Sequence, residues 1–154
     1  MKKLKAILLM VTMIIGLTCT SKIDVKATEE VECVDGSYLT DDDYSEGEDV
    51  KITRGVYLKS GTSTISEVGT GKIAAGGRTV GQTTVSEIAV YVSVEKLVNG
   101  SWQTYTTWSA KKSNAVLVST SKTLSVPIGY YYRVYSTHKA NSDISGSFTN
   151  GIHI

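Results

Sequence analysis

The chain has 154 residues and a formal net charge of +1, so it suits one domain with a sizeable core and is too short for a two-domain enzyme. Its two cysteines do not supply a disulfide framework. The near-neutral total hides two segments of opposite charge, which is typical of a solvated tail beside a folded unit.

Residues 1–27 have the features of a secretory signal peptide. Three lysines form a basic start, an apolar stretch follows from Ala6 to Cys19, and Val25 and Ala27 occupy the two positions that a signal peptidase reads. The apolar stretch is shorter than the roughly 20 residues that span a bilayer, so we expect no stable membrane span after its removal. The sequence predicts a secreted, extracellular protein, either free or associated with the cell surface.

The cysteines give little further information. Cys19 leaves with the signal peptide, and Thr18 is too large for a lipoprotein processing site. Cys33 is then alone and forms no intramolecular disulfide. It is either a free thiol or a partner in an intermolecular disulfide, and the sequence leaves both open.

Residues 28–50 read as an acidic flexible arm. They contain ten acidic residues, no lysine or arginine, and no periodic apolar pattern. Residues 51–154 carry 11 basic residues against four acidic ones. These cations are scattered at strand ends and turns, where they either protect sheet edges or attract an anionic cell-envelope polymer. No nucleic-acid recognition motif is present, so we expect no nucleic-acid partner.

Residues 51–154 have the composition of an all-β domain. Thr, Val, Tyr and Ile are abundant, Gly and Ser punctuate the segment, and no helical period persists. About 104 residues suffice for one such core. The pattern predicts an antiparallel β-sandwich of seven to nine strands. The expected strands lie near 54–60, 62–68, 71–75, 78–84, 86–98, 101–111, 115–126, 130–138 and 146–153.

Asn99-Gly100 predicts a two-residue hairpin turn, because both positions of a type I′ turn need positive φ. The resulting register pairs Leu97 with Trp102 and Tyr91 with Trp108 on one face. The alternation of Ile88, Val90, Val92 and Val94 marks the opposite face as the core.

Tyr91, Trp102 and Trp108 are therefore the candidate ligand-binding residues. In one interpretation they form an exposed aromatic strip of the kind that holds sugars or other flat ligands. In the other, a strand or the acidic arm covers that face and the tryptophans are packing residues. A bulge near Lys96 would reverse the parity and place the tryptophans in the core.

The segment LSVPIGYYYRV, residues 124–134, resembles the tyrosine corner of fibronectin type III and immunoglobulin-like sandwiches. In that resemblance Leu124 and Tyr130 are the corner residues, and the Tyr130 hydroxyl bonds back to the preceding loop. The role implied is in folding and not in function.

Several motifs in order resemble an uncharacterised family of small secreted proteins from Gram-positive, clostridia-like bacteria. They are TRGVYLKSGTSTISEVGTGKIAAGG (53–77), VEKLVNGSW (94–102), SKTLSVPIGYYYRV (121–134) and TNGIHI (149–154). The resemblance implies an exported bacterial protein with no catalytic residue to transfer.

No constellation of catalytic or metal-ligating residues stands out. His138 and His153 are the only histidines, and we expect both at the surface without a third ligand. We therefore predict no enzymatic activity, no cofactor and no metal. The leading hypothesis is a binding or adhesion module for a glycan or an anionic cell-wall polymer. The alternatives are a protein-interaction module that pairs through sheet edges or self-associates, and a secreted antagonist peptide.

Overall fold

The computed structural model describes residues 32–48 and 55–154, and the expected signal peptide lies outside them. The described residues form nine strands and no helix, which confirms the all-β class, and so they contain no helix able to cross a membrane. The strands are β1 Cys33–Val34, β2 Ser37–Thr40, β3 Tyr44–Glu48, β4 Leu58–Gly69, β5 Lys72–Val98, β6 Ser101–Ser125, β7 Tyr131–Ala140, β8 Asp143–Phe148 and β9 Gly151–His153.

The nine strands form one curled sheet with the order β1-β2-β9-β7-β5-β4-β3, in which β6 also pairs with β5 and β8 with β7. The 27-residue β5 and the 25-residue β6 form a long hairpin whose register breaks between Val80 and Val85. Beyond this break the neighbour of β5 changes from β4 to β7. The sheet thereby curls into a half-barrel around its apolar face.

The sheet is mixed, which corrects the expectation of a wholly antiparallel arrangement. β2 runs parallel to β9, with Leu39 opposite Gly151 and Thr40 opposite Ile152. The other recorded pairs are antiparallel. A parallel pair cannot be joined by a tight turn, and here nearly the whole domain connects its two strands.

Three expected strands, at 71–75, 78–84 and 86–98, are fused into β5. Gly76 and Gly77, which separate the expected strands 71–75 and 78–84, lie within β5 for steric reasons. A Cβ on Gly76 would lie 2.7 Å from the Thr120 carbonyl oxygen, and one on Gly77 would lie 2.8 Å from Ser136 Oγ. These glycines therefore allow close backbone and side-chain approach.

The expectation of a flexible arm is wrong for residues 33–48. β1 and β2 form a hairpin that β9 joins to the sheet, and β3 pairs along β4 from Tyr44 opposite Ser66 to Glu48 opposite Thr62. Charge density suggested a solvated segment, but two serines within it are buried and hydrogen-bonded. Ser37 Oγ donates to the Thr149 carbonyl at 2.8 Å, and Ser45 Oγ accepts from the Asn150 amide at 2.9 Å.

The predicted core face is confirmed. Ile88, Val90, Val92 and Val94 are at most 1% exposed, and they pack with buried side chains of the other strands. Partners of this core include Ile65, Ile73, Tyr132, Val134 and Ile152.

The tyrosine whose hydroxyl bonds back to the preceding loop is Tyr132 and not Tyr130, one alternation step from the expected position. Tyr130 is 39% exposed and lies outside β7, with the Lys96 ammonium 4.2 Å from its ring centroid. Tyr132 is fully buried, and its hydroxyl donates to the Pro127 carbonyl at 2.8 Å. Burial, which disfavours the phenolate, raises the pKa of Tyr132 to about 12. Leu124 is partly buried against the core.

Tyr132→Phe removes the hydrogen bond to the Pro127 carbonyl while keeping the ring, so we expect a loss of about 1 kcal/mol in the free energy of unfolding. Tyr130→Phe is the matched control and should leave that free energy nearly unchanged, because its ring is exposed. Denaturant unfolding of both variants measures the difference. Equal stabilities of the two variants would contradict a stabilising role for the Tyr132 hydrogen bond.

Candidate functional site

The hairpin at Asn99-Gly100 confirms the first part of the predicted register. Both residues have positive φ, 51° and 74°, and the pairs from Val98 opposite Ser101 to Glu95 opposite Thr104 follow the two-residue turn. Between Val94 and Glu95 the register then shifts by one residue. Tyr105 is the extra residue of this bulge, which reverses the parity of β6 beyond it.

Trp108 consequently faces the core and not the outer surface. It lies opposite Val92, where Tyr91 had been expected, and packs against the buried cluster. The Lys122 ammonium lies 5.2 Å from its ring centroid. The prediction that Trp108 joins an exposed aromatic strip is therefore wrong, and the bulge is the physical reason.

Trp102 precedes the bulge and keeps its predicted pairing with Leu97 on the outer face. The N-terminal hairpin covers it: its Nε1 donates to the Val34 carbonyl at 3.0 Å. Its ring also lies so close to Gly151 that a Cβ there would be 2.7 Å from the ring edge. Trp102 is thus a packing residue, as the interpretation with a covered face anticipated.

Arg133 connects the N-terminal hairpin to the sheet beside Trp102. Its Nε lies 2.7 Å from Glu95 Oε2, and its Nη1 donates to the Asp35 carbonyl at 3.1 Å and to Ser37 Oγ at 2.9 Å. The guanidinium carbon lies 4.6 Å from the centroid of the Trp102 ring. With 7% of its side chain exposed, Arg133 is a buried charge whose donors are directed at the turn between β1 and β2, at β2 and at β5.

Tyr91 remains on the outer face and lines a groove of about 350 Å³ with Tyr135. The two side chains are 38% and 39% exposed. Tyr135 lies opposite Ser93 on β5, and Tyr91 lies one alternation step along the same strand. We call this the aromatic groove. Small polar side chains line its floor, those of Ser93, Thr107, Ser109 and Thr137, and Val92 and Trp108 from the core-facing rows also contribute to the lining.

Cations border the aromatic groove near Tyr91. The Lys111 ammonium lies 5.5 Å from the Tyr91 ring centroid. A hydrogen bond to Tyr91 is the main cause that raises the pKa of Lys111, so this lysine is charged at neutral pH. Lys139 bonds Glu87 at 2.7 Å, and this bond lowers the pKa of the Glu87 carboxyl. The rim therefore carries one ion pair and one additional ammonium.

Tyr135 is the groove residue that the sequence analysis missed. In this region the sequence had assigned roles to Leu124 and Tyr130 alone, and Tyr132 and Val134 face the core. Strand alternation places Tyr131, Arg133 and Tyr135 on the other face. The pairing of β7 with β5 brings Tyr135 next to Tyr91, and no local signal indicates that pairing.

His138 is fully buried, which corrects the expectation of a surface residue. Thr79 Oγ1 donates to the Ala89 carbonyl at 3.0 Å, so it accepts from His138 Nδ1 at 2.9 Å. His138 Nε2 then accepts from Ser147 Oγ at 2.7 Å. Ser147 and Thr79 are also fully buried, so this serine–histidine pair has no access to a substrate from solvent.

The two histidines do not converge. His153 is exposed, with its ring 5.0 Å from that of Tyr131, whereas His138 lies seven residues farther along β7, or about 23 Å of strand. Within residues 32–48 and 55–154, no group of three or more His, Cys, Asp or Glu side chains could hold a metal ion.

Arg133→Met removes the charge while keeping most of the side-chain volume. We expect a loss of about 3 kcal/mol in the free energy of unfolding, because Glu95 is left without its buried partner. Amide hydrogen exchange should become faster at Leu39, within the released hairpin. Lys139→Met removes an exposed ion pair and is the matched control, with little expected change. Unchanged exchange at Leu39 in Arg133→Met would contradict the proposed role of Arg133.

Comparison with known proteins gives a family but no activity. The model of a family of unknown function (DUF6147) matches residues 25–152, which is most of the chain. A search of the curated proteins found no match.

Proposed function

The chain belongs to DUF6147, and we propose that it is an exported, non-catalytic binding module that holds a glycan in the aromatic groove. The observation that carries the proposal is the pair of half-exposed rings, Tyr91 and Tyr135, flanking a concave floor of hydroxyl side chains. Sugar rings present an apolar face and a polar rim, which such a groove complements with rings and hydroxyls.

Charge at the rim favours an acidic glycan or an anionic envelope polymer over a neutral one. The Lys111 ammonium beside Tyr91 is the cation not used in an ion pair among the residues that the structure describes at this rim. Export is supported by the sequence features of residues 1–27 and places the groove where envelope polymers are found. A Gram-positive source, as the sequence resemblance implies, is part of the same proposal.

The decisive experiment measures binding of the exported protein to purified cell-wall polysaccharide. Tyr91→Ala and Tyr135→Ala should each weaken binding by about tenfold, because each removes one stacking surface worth about 1–2 kcal/mol. Tyr57→Ala is the matched control, since Tyr57 is also 38% exposed but lies outside the groove.

Retained binding in both groove variants would overturn the glycan proposal, provided that their melting temperatures match that of the unaltered protein. Sequencing the N-terminus of protein recovered from culture medium tests export at the same time. A mature chain that begins near Thr28 is the expected result.

A protein-interaction function is the second candidate, and the outer edge of β6 favours it. In the part of the chain that the structure describes, β6 pairs along its 25 residues with β5 alone. An unpaired edge of this length is a template for another strand, although Lys111, Lys112 and Lys122 along β6 oppose such pairing. Sedimentation over a range of concentrations tests self-association, and a monomer throughout would count against it.

For the fold, we propose a relationship to immunoglobulin-like sandwiches that rests on the tyrosine corner. Its support is the bond from the Tyr132 hydroxyl to the Pro127 carbonyl, just before the strand that Tyr132 enters. An experimentally determined structure that lacked this bond would remove the support.

A further inference from the structure

A second groove lies on the outer face of the other half of the curled sheet. It has a volume of about 460 Å³ and is formed by β3, β4, β5 and β6. This volume falls within the range of small-molecule sites. We call it the polar groove, because its lining contains hydroxyl side chains and two charged groups but no aromatic ring.

The strand register explains the hydroxyl floor. Thr64 lies opposite Gly76, which lies opposite Ser121, and in the next row Arg78 lies between Thr62 and Ser119. Gly76 has no side chain, and a Cβ at this position would lie 2.7 Å from the Thr120 carbonyl oxygen. The floor of the polar groove is therefore low at Gly76, with the hydroxyl side chains of Thr64 and Ser121 on either side of it.

Glu46 stands at the β3 edge of this floor, and Arg78 stands within it on β5. Two strand spacings and an offset of two residues along the strand, about 12 Å in all, separate their backbones. Among the described residues, the ion pairs within 4.0 Å involve Arg133 and Lys139, so Glu46 and Arg78 do not neutralise each other. The Tyr44 hydroxyl donates to Glu46 Oε2, which fixes the carboxylate and leaves its other oxygen available.

Separated opposite charges across a hydroxylated floor fit a ligand with the complementary charge pattern. A purely anionic ligand would meet repulsion from Glu46, and a purely cationic one would meet repulsion from Arg78. A guanidinium is suited to a phosphate or a carboxylate, and a carboxylate to an ammonium.

We propose that the polar groove binds a hydroxylated zwitterion, an amino sugar that also carries an anionic group. The ammonium of the ligand lies beside Glu46, its phosphate or carboxylate lies beside Arg78, and its ring hydroxyls bond to Thr62, Thr64 and Ser121. The site is separate from the aromatic groove and does not depend on the function proposed there.

Titration of the full exported protein, followed by NMR of its backbone amides, tests the proposal with matched probes. Glucosamine 6-phosphate carries both charges, glucose 6-phosphate carries only the anion, and glucosamine carries only the cation. Muramic acid is an amino sugar with a carboxylate, so it separates recognition of a carboxylate from recognition of a phosphate. One or both zwitterions should bind about tenfold more tightly than the singly charged sugars.

Two variants test which residue binds which charged group of the ligand. Arg78→Gln should reduce the affinity for the bound zwitterion to that for glucosamine, and Glu46→Gln should reduce it to that for glucose 6-phosphate. Glu48→Gln and Lys72→Gln are the controls, because Glu48 and Lys72 lie on the same strands outside the lining and should change the affinity little.

Three results would overturn the proposal. They are equal affinities for all four probes, no binding of either zwitterion, and affinities for the zwitterions that Arg78→Gln and Glu46→Gln leave unchanged. Because Tyr91→Ala leaves the polar groove intact, it should retain zwitterion binding, which distinguishes this site from the aromatic groove.

Discussion

Hydrogen bonding along both edges of β5 is the constraint on which the rest of the structure depends. β4 and then β7 pair with one edge, and β6 pairs with the other on both sides of the break after Val80. One strand therefore belongs to both halves of the curled sheet, and its bend sets how those halves face each other. The core lies on the inner face of this strand, and the two grooves lie on the outer faces of its two halves.

The acidic segment is attached to this framework by a few specific contacts that involve buried groups. Arg133 is the main one, because its guanidinium joins Glu95 to the Asp35 carbonyl in the β1–β2 turn and to the Ser37 hydroxyl of β2, and also lies over Trp102. A buried arginine with several partners is costly to expose and fixes the position of whatever it bonds. Residues 33–48 of the acidic segment are thus docked on the sheet and do not form a separate tail.

Local signals predicted local structure well. Asn99-Gly100 specified the turn because few residues tolerate two successive positive φ angles, and the alternation from Ile88 to Val94 specified the core face. The fused β5 was not predicted, because Gly76 and Gly77 serve close approach between strands and have the same appearance in sequence as turn glycines. The bulge at Tyr105 leaves no compositional mark, yet it decides which tryptophan reaches the core.

The candidate site was predictable only in part, because it depends on strand pairing that no local signal in the sequence indicates. Tyr91 was identified from its parity, but its neighbour Tyr135 depends on which strand pairs with β5, and that is a long-range property. The polar groove was harder to predict from the sequence, because its rows of hydroxyl side chains form only when four strands pair in register. Residues 33–48 were misjudged because composition reports the average solvation of a segment and not the few buried bonds that hold it.

The parallel pairing of β2 with β9 has a consequence for the order of folding. The bond from Ser37 to Thr149 joins residues 112 positions apart, so β1 and β2 can dock only after almost the whole domain has been synthesised and has closed a very long loop. Until then β1 and β2 lack the strand that joins them to the sheet, whereas β3 can pair with β4 as soon as β4 has been made. The pairing of β2 with β9 is therefore the step that completes the sheet.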